Sequence, residues 1–138
     1  MNYARVAVVS YEDQEFKNTV GGFLADHFSI KPEYLDVLTR ANITRHNLEI
    51  FLVNSDGLHS NRDFVQSFRT ATGRNVPMPD KSIFMLTRSL KAMEFLRNQE
   101  LKASDTIDIG QGMGGLKVAL TGLMLERQLS LFKQVLRA

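Results

Sequence analysis

Polar and acidic side chains follow the first apolar run of the chain, where an α/β protein often carries its chemistry. Ser10, Tyr11, Glu12 and Asp13 come directly after the run at 5–9. In a doubly wound sheet, ligands lie beyond the carboxyl ends of the strands. A phosphoryl-accepting site there needs clustered carboxylates to hold Mg²⁺, one of them nucleophilic, and a cation to neutralise the phosphoryl oxygens. Glu12 and Asp13 are therefore candidate members of an acid pocket.

The ends of the later apolar runs supply only fragments of such a site. Asn54 ends the run at 48–53, and its amide can neither attack a phosphoryl donor nor bind Mg²⁺ well. Asp56 is acidic but stands two positions farther on. The acids also have a simpler interpretation as helix caps and turn formers, which the sequence favours. The candidate positions at the ends of strands three, four and five are Asn54, Asp56, Thr87, Gly110 and Gln111.

A glycine-rich segment follows the fifth predicted strand. Residues 110–115 read Gly-Gln-Gly-Met-Gly-Gly, which matches G-x-G-x-x-G between a strand and a helix. That position suits a pyrophosphate at a helix N-terminus. The complete fingerprint also needs a βαβ unit with an acidic residue roughly 20 positions on, and Glu126 falls in the middle of a helix instead. The sequence favours a tight turn or a close-packed helix entry, with nucleotide binding as the alternative.

The last predicted helix, about 115–137, is apolar on more than one face. One apolar stripe should cover the sheet, and the surplus predicts a second contact, either self-association or docking on a following domain. Ordinary core packing is the alternative. The candidate interaction residues are Leu116, Leu120, Leu123, Leu125, Leu129, Phe132 and Leu136.

Composition narrows the classes of function. The 138 residues fit one domain, 1–138, and 43% hydrophobic with 23% charged residues is typical of a globular protein. The net charge of +2 is spread along the chain, so we expect no direct nucleic-acid partner. The three histidines lack ligand spacing and there is no cysteine, so we expect neither a metal nor a cofactor. Neither a signal peptide nor an apolar stretch of 18 residues is recognisable, which predicts a cytoplasmic protein without membrane insertion.

Strand and helix periodicities alternate along the chain. Strands are predicted at 5–9, 49–54, 82–87 and 105–109. Helices are predicted at about 13–27, after a cap formed by Ser60 with Asp63, after a cap at Ser89, and at about 115–137. Between the first helix and strand three, 28–31 is the favoured second strand with Pro32 opening a helix, since proline suits a helix start better than a central strand. The alternative second strand is 34–39. Five strands alternating with helices predict a parallel sheet wrapped on both faces.

This layout resembles the receiver domains of bacterial two-component response regulators over nearly the whole chain. In that family, two acids follow strand one, the phosphorylated aspartate ends strand three, a serine or threonine ends strand four and a lysine ends strand five. The corresponding positions here are Ser10 and Tyr11, Asn54, Thr87, and Gly110 or Gln111, of which only Thr87 matches. The resemblance implies a flavodoxin-like, three-layer α/β/α fold with strand order 2-1-3-4-5.

The resemblance also implies a function. A receiver whose reactive positions are replaced is expected to be a non-catalytic pseudo-receiver, acting through a protein partner or as a homodimer. The expected contact surface is the last helix with the face beside strands four and five. Similar atypical receiver domains occur in pilus-assembly ATPases of the Tad/Cpa type and in some transcription regulators, so a downstream effector or ATPase domain is an expected partner. One alternative is a phosphorylatable receiver using Asp56 with Glu12 and Asp13, and the other is a nucleotide-binding domain using 110–115.

Overall fold

A computed structural model describes residues 5–56, 62–73, 81–98 and 105–137, and among these the side chains at all positions except 62–65, 67 and 127–137. Strands and helices alternate along the whole of this part of the chain. In order they are β1 (Val6–Val9), α1 (Gln14–Phe28), β2 (Glu33–Leu35), α2 (Arg40–Ile43), β3 (Ile50–Asn54), α3 (Arg62–Ala71), β4 (Ser82–Thr87), α4 (Leu90–Arg97), β5 (Asp105–Asp108) and α5 (Gly114–Arg137).

The five strands form one parallel sheet in the order β2-β1-β3-β4-β5. Val8 of β1 aligns with Tyr34 of β2 and Leu52 of β3, and Leu52 aligns in turn with Phe84 of β4. Phe84 aligns with Asp105 of β5. This topology confirms the predicted flavodoxin-like α/β fold and its strand order.

The apolar residues form one core on each face of the sheet. On one face, Val8 and Leu52 pack with α1 and with Leu116 and Leu120 of α5. On the other face, Phe51 packs with α2, α3 and α4. Because β1 and β3 lie in the middle of the sheet and are covered on both sides, all their residues are buried, as their continuous apolar sequence predicts.

Most element boundaries agree with the sequence patterns. Asp13 caps α1 by accepting a hydrogen bond from the Phe16 N–H, and Ser89 caps α4 by accepting one from Ala92. β4 occupies the predicted residues, and α5 begins at Gly114. The cap predicted for α3 at Ser60 lies outside the described residues. No helix in the described part of the chain combines the length and the apolar character needed to cross a bilayer.

The favoured prediction for the second strand is wrong. Residues 28–31 form no strand, because α1 continues through Phe28 and ends at Ser29, which adopts a left-handed conformation with φ 55°. Pro32 opens no helix and instead precedes β2, and α2 begins only after Thr39. β2 lies at the edge of the sheet, where a proline beside the strand removes no hydrogen bond from a central ladder. The alternative strand at 34–39 overlaps β2 at its first two residues.

Candidate functional site

The carboxyl ends of β1, β3 and β4 bring Asp13, Asp56, Thr87 and Arg88 together. The strand order reverses between β1 and β3, so the loops after these strands diverge and leave the crevice in which doubly wound folds bind ligands. We call these four residues the strand-end cluster. Three of them were predicted from the sequence, and Arg88 was not.

Both carboxylate oxygens of Asp56 accept hydrogen bonds from the end of β4. Oδ1 accepts from the Thr87 hydroxyl at 2.8 Å and from the Arg88 backbone N–H at 2.7 Å. Oδ2 accepts from Nε of Arg88 at 2.6 Å. Asp56 therefore accepts hydrogen bonds from a hydroxyl, a backbone N–H and a guanidinium, and together these bonds fix the position of its carboxylate.

Arg88 joins Asp56 to the loop after β1. Its NH2 group donates to Oδ2 of Asp13, and its NH1 group lies 3.9 Å from Oε1 of Glu15. The Glu15 side chain is 82% exposed, so this longer contact contributes little. The guanidinium thus bridges two carboxylates that follow two different strands.

The ion pairs help to shift the pKa values of Asp13 and Arg88. The N–H of Phe16 at the helix start, followed by the Arg88 guanidinium, lowers the pKa of Asp13 against the opposing effect of its partial burial. Burial works to lower the pKa of Arg88, but the hydrogen bonds and charges of Asp13 and Asp56 outweigh it and raise that pKa. Both groups are therefore charged at neutral pH.

Asn54 uses both ends of its amide to join loops. Its Nδ2 donates to the backbone oxygen of Ser10 at 2.9 Å, and its Oδ1 accepts from the backbone N–H of Asp56 at 3.2 Å. The side chain is buried, with a relative exposure of 6%. A carboxylate at this position could accept the hydrogen bond from Asp56 but could not donate one to Ser10. The need to do both explains why an asparagine ends β3 in this fold.

Tyr11 and Glu12 do not join the strand-end cluster. Both adopt left-handed backbone conformations, with φ 50° and 67°, which turn the chain between Ser10 and the cap of α1. The Tyr11 side chain packs against the core on the α2–α4 face and accepts a hydrogen bond from the Leu38 N–H at 3.4 Å. Its burial raises the pKa of the phenol. Glu12 is exposed, so Asp13 is the member of the predicted acid pair that enters the cluster.

The glycine-rich segment packs closely against the cluster. A Cβ on Gly110 would lie 2.5 Å from the backbone oxygen of Arg88, and Gly112 adopts φ 125°. A Cβ on Gly115 would lie 3.2 Å from the Ile107 side chain. Gln111, which stands where the resemblance places a lysine, is exposed. The positive φ of Gly112 and the close packing at Gly110 and Gly115 therefore explain the glycines at these positions.

The described part of α5 has one covered and one uncovered side. Leu116 and Leu120 are buried, and Leu123 is partly buried against the same core. Val118 and Leu125 are exposed by 74% and 56%. The predicted interaction residues Leu129, Phe132 and Leu136 lie where only the helix backbone is described.

The strand-end cluster contains two acidic residues, Asp13 and Asp56. In the described ranges, no three histidine, aspartate or glutamate residues lie close enough to hold a metal ion. The sequence did offer a signal for Arg88, since an arginine directly after a polar strand end can reach carboxylates on neighbouring loops. The prediction looked for a cation only after β5.

Comparison of the chain with protein-family models, with curated proteins and with solved structures gives no match.

Proposed function

We propose that this protein is a non-catalytic, receiver-like interaction domain that is not phosphorylated at its strand ends. The observation that carries the proposal is the contact of Arg88 with both Asp13 and Asp56. A receiver site needs free carboxylates to hold Mg²⁺ around a nucleophilic aspartate. Here a side chain of the fold itself neutralises those carboxylates.

The surrounding residues support the same proposal. Asn54 stands at the end of β3, where the resemblance places the phosphorylated residue, and its amide is occupied by Ser10 and Asp56. Attack by Asp56 on a phosphoryl donor would have to break its hydrogen bonds to Thr87 and Arg88. Each charge-assisted hydrogen bond contributes about 1.5–3 kcal/mol, so the local cost of freeing Asp56 is considerable.

Incubation with a small phosphodonor and Mg²⁺, followed by intact mass measurement, tests this part of the proposal. We expect no gain of a phosphoryl group by the wild-type chain, while a typical receiver domain treated in parallel is modified. Asp36→Asn serves as the matched control, because Asp36 is an exposed acid outside the cluster. A gain that persists in Asp36→Asn but disappears in Asp56→Asn would refute the proposal and establish the phosphorylatable alternative.

The uncovered side of α5 supports the interaction part of the proposal. Val118 and Leu125 stand seven positions apart, which is about two helical turns, so they lie on the same side of the helix. Leu90, at the start of α4, is exposed by 63%. α4 and α5 cover opposite faces of the sheet and both adjoin the edge strand β5. We propose that this edge forms a homodimer or binds a protein partner, such as a downstream effector or ATPase domain in two-component signalling or pilus assembly in the bacterial cytoplasm.

Light scattering over a range of protein concentrations tests self-association. We expect a mass that rises above the 15.6 kDa of one chain. Leu125→Glu should weaken this association by placing a charge on the uncovered apolar side, whereas Thr19→Glu, at an exposed position of α1, should not. A concentration-independent monomer, or equal loss in both variants, would contradict self-association through this side of α5.

A further inference from the structure

We infer that Arg88 is a positioning residue that locks the loops after β1, β3 and β4 into one arrangement. The sheet edge formed by β5 and the starts of α4 and α5 is thereby held in a single state without chemical modification. The lock itself stands on geometry. Its consequence for partner binding rests on the proposed function.

The first step is that one residue ties three strand ends together. The side chain of Arg88 contacts Asp13 after β1 and Asp56 after β3, while Arg88 itself follows β4. Its backbone N–H adds a second bond to Asp56 at 2.7 Å. Because Asp56 bonds both the backbone and the side chain of Arg88, movement of the loop after β3 would break two contacts at once, and movement of the loop after β1 would break the contact with Asp13.

The second step is that this position sets the start of α4. The Thr87 hydroxyl donates to Asp56 at 2.8 Å and accepts from the Ser89 N–H at 3.2 Å. Ser89 then caps α4 by accepting from the Ala92 N–H at 3.3 Å. A continuous chain of hydrogen bonds therefore connects the carboxylate of Asp56 to the first turn of α4.

The third step extends the contact to the loop after β5. The N–H of Ile109 donates to the Thr87 backbone oxygen at 2.8 Å. The next residue, Gly110, lies so close to the backbone oxygen of Arg88 that a Cβ there would approach it to 2.5 Å. The loop that leads into α5 thus packs directly on the residue whose side chain holds Asp13 and Asp56.

An ordinary surface ion pair would not have these properties. Exposed ion pairs contribute little to stability and restrict the two side chains only weakly. The side chains of Arg88, Asp13 and Asp56 are only 32%, 29% and 24% exposed, and the guanidinium donates to the two carboxylates through different nitrogens. The partial burial and the double contact strengthen the interaction and fix the orientation of the guanidinium.

Amide hydrogen exchange of the full chain, measured by NMR, tests the lock. Three amides report on three loops: Phe16 bonded to Asp13, Ala92 bonded to Ser89, and Gly110 bonded to the Asp108 carboxylate at 2.7 Å. In Arg88→Gln, we expect all three to exchange at least about tenfold faster, because the charge-assisted hydrogen bonds that restrain the loops are lost. Relative to Arg88→Gln, Arg88→Lys should show less acceleration, because it keeps the positive charge but lacks the separate guanidinium donors to Asp13 and Asp56.

Arg97→Gln, which removes an exposed arginine at the other end of α4, is the matched control and should leave the three rates unchanged. The inference is overturned if the Arg88→Gln rates stay within about twofold of wild type, or if central β3 amides accelerate equally, which indicates global destabilisation. If Arg88→Gln does not fold, Asp56→Asn, which removes one of the two carboxylate charges that Arg88 contacts, is judged by the same criteria. Wild-type phosphorylation would refute the proposed function and leave these exchange results standing.

Discussion

Arg88 holds Asp56 at two points, with its backbone N–H 2.7 Å from Oδ1 and its Nε 2.6 Å from Oδ2. The contact joins the end of β4 to the loop after β3. Its cation is covalently part of the chain and therefore cannot be diluted or chelated. A site that depended on a bound cation would respond to the concentration of that cation, whereas this one should respond to mutation, ionic strength and pH.

Replacement of Asn54 by aspartate should destabilise the fold by about 2–4 kcal/mol. The change removes the donor to Ser10 and places a charged oxygen against a backbone oxygen at a buried position. Urea unfolding measures the effect. Asn18→Asp, at an exposed position of α1, is the control and should change stability by less than about 0.5 kcal/mol. Equal stability of Asn54→Asp and wild type would contradict the structural role of the Asn54 amide.

Gly110→Ala should cost about 1–3 kcal/mol, because the new methyl group would meet the backbone of Arg88 and would force the loop after β5 to move. In Gly114→Ala the added Cβ has no neighbour within 4 Å, so this variant should be neutral or slightly stabilising in α5. Thermal unfolding of the wild type and the two variants measures these differences in stability. Similar losses in both would contradict the packing explanation for Gly110.

The charge of Asp13 should make the free energy of unfolding depend on pH in the acid range. Because its pKa is lowered in the folded protein, its charge adds stability above its unfolded pKa of about 3.9, and this contribution is lost as the pH falls through the folded value. Asp13→Asn keeps a good helix cap but removes the charge. In urea unfolding, the variant should be less stable than wild type at pH 7, and the difference should shrink below about pH 4. A difference independent of pH would contradict the ionic contribution.

Two adjacent glycines of α1 should respond differently to alanine. Gly22 is exposed, and a Cβ there has no neighbour within 4 Å, so Gly22→Ala should stabilise the protein by about 0.5–1 kcal/mol. A Cβ on Gly21 would lie 2.2 Å from the hydroxyl oxygen of Tyr34. Gly21→Ala should therefore gain less or lose stability, because it must displace the Tyr34 ring from its place beside Lys17. Equal gains in urea unfolding would show that the ring moves at no cost.

The central elements could be predicted because their signals are local. The continuous apolar runs of β1, β3 and β4 require strands covered on both faces, and the caps Asp13 and Ser89 act within three residues of themselves. The segment after α1 could not be predicted correctly. Its second strand is only three residues long and lies at the edge of the sheet, so its position depends on pairing with β1 more than on its own composition.

The sequence by itself determined the parallel α/β class and the polar character of the strand ends, since both follow from periodicity and residue type along the chain. The partnership of Asp13 with Arg88, 75 positions apart, was decided only by the tertiary structure. A long side chain can reach several neighbouring loops, and only the strand order determines which loops those are. The same holds for Gly110, whose need to lack a side chain arises from a backbone oxygen that the sheet brings alongside it.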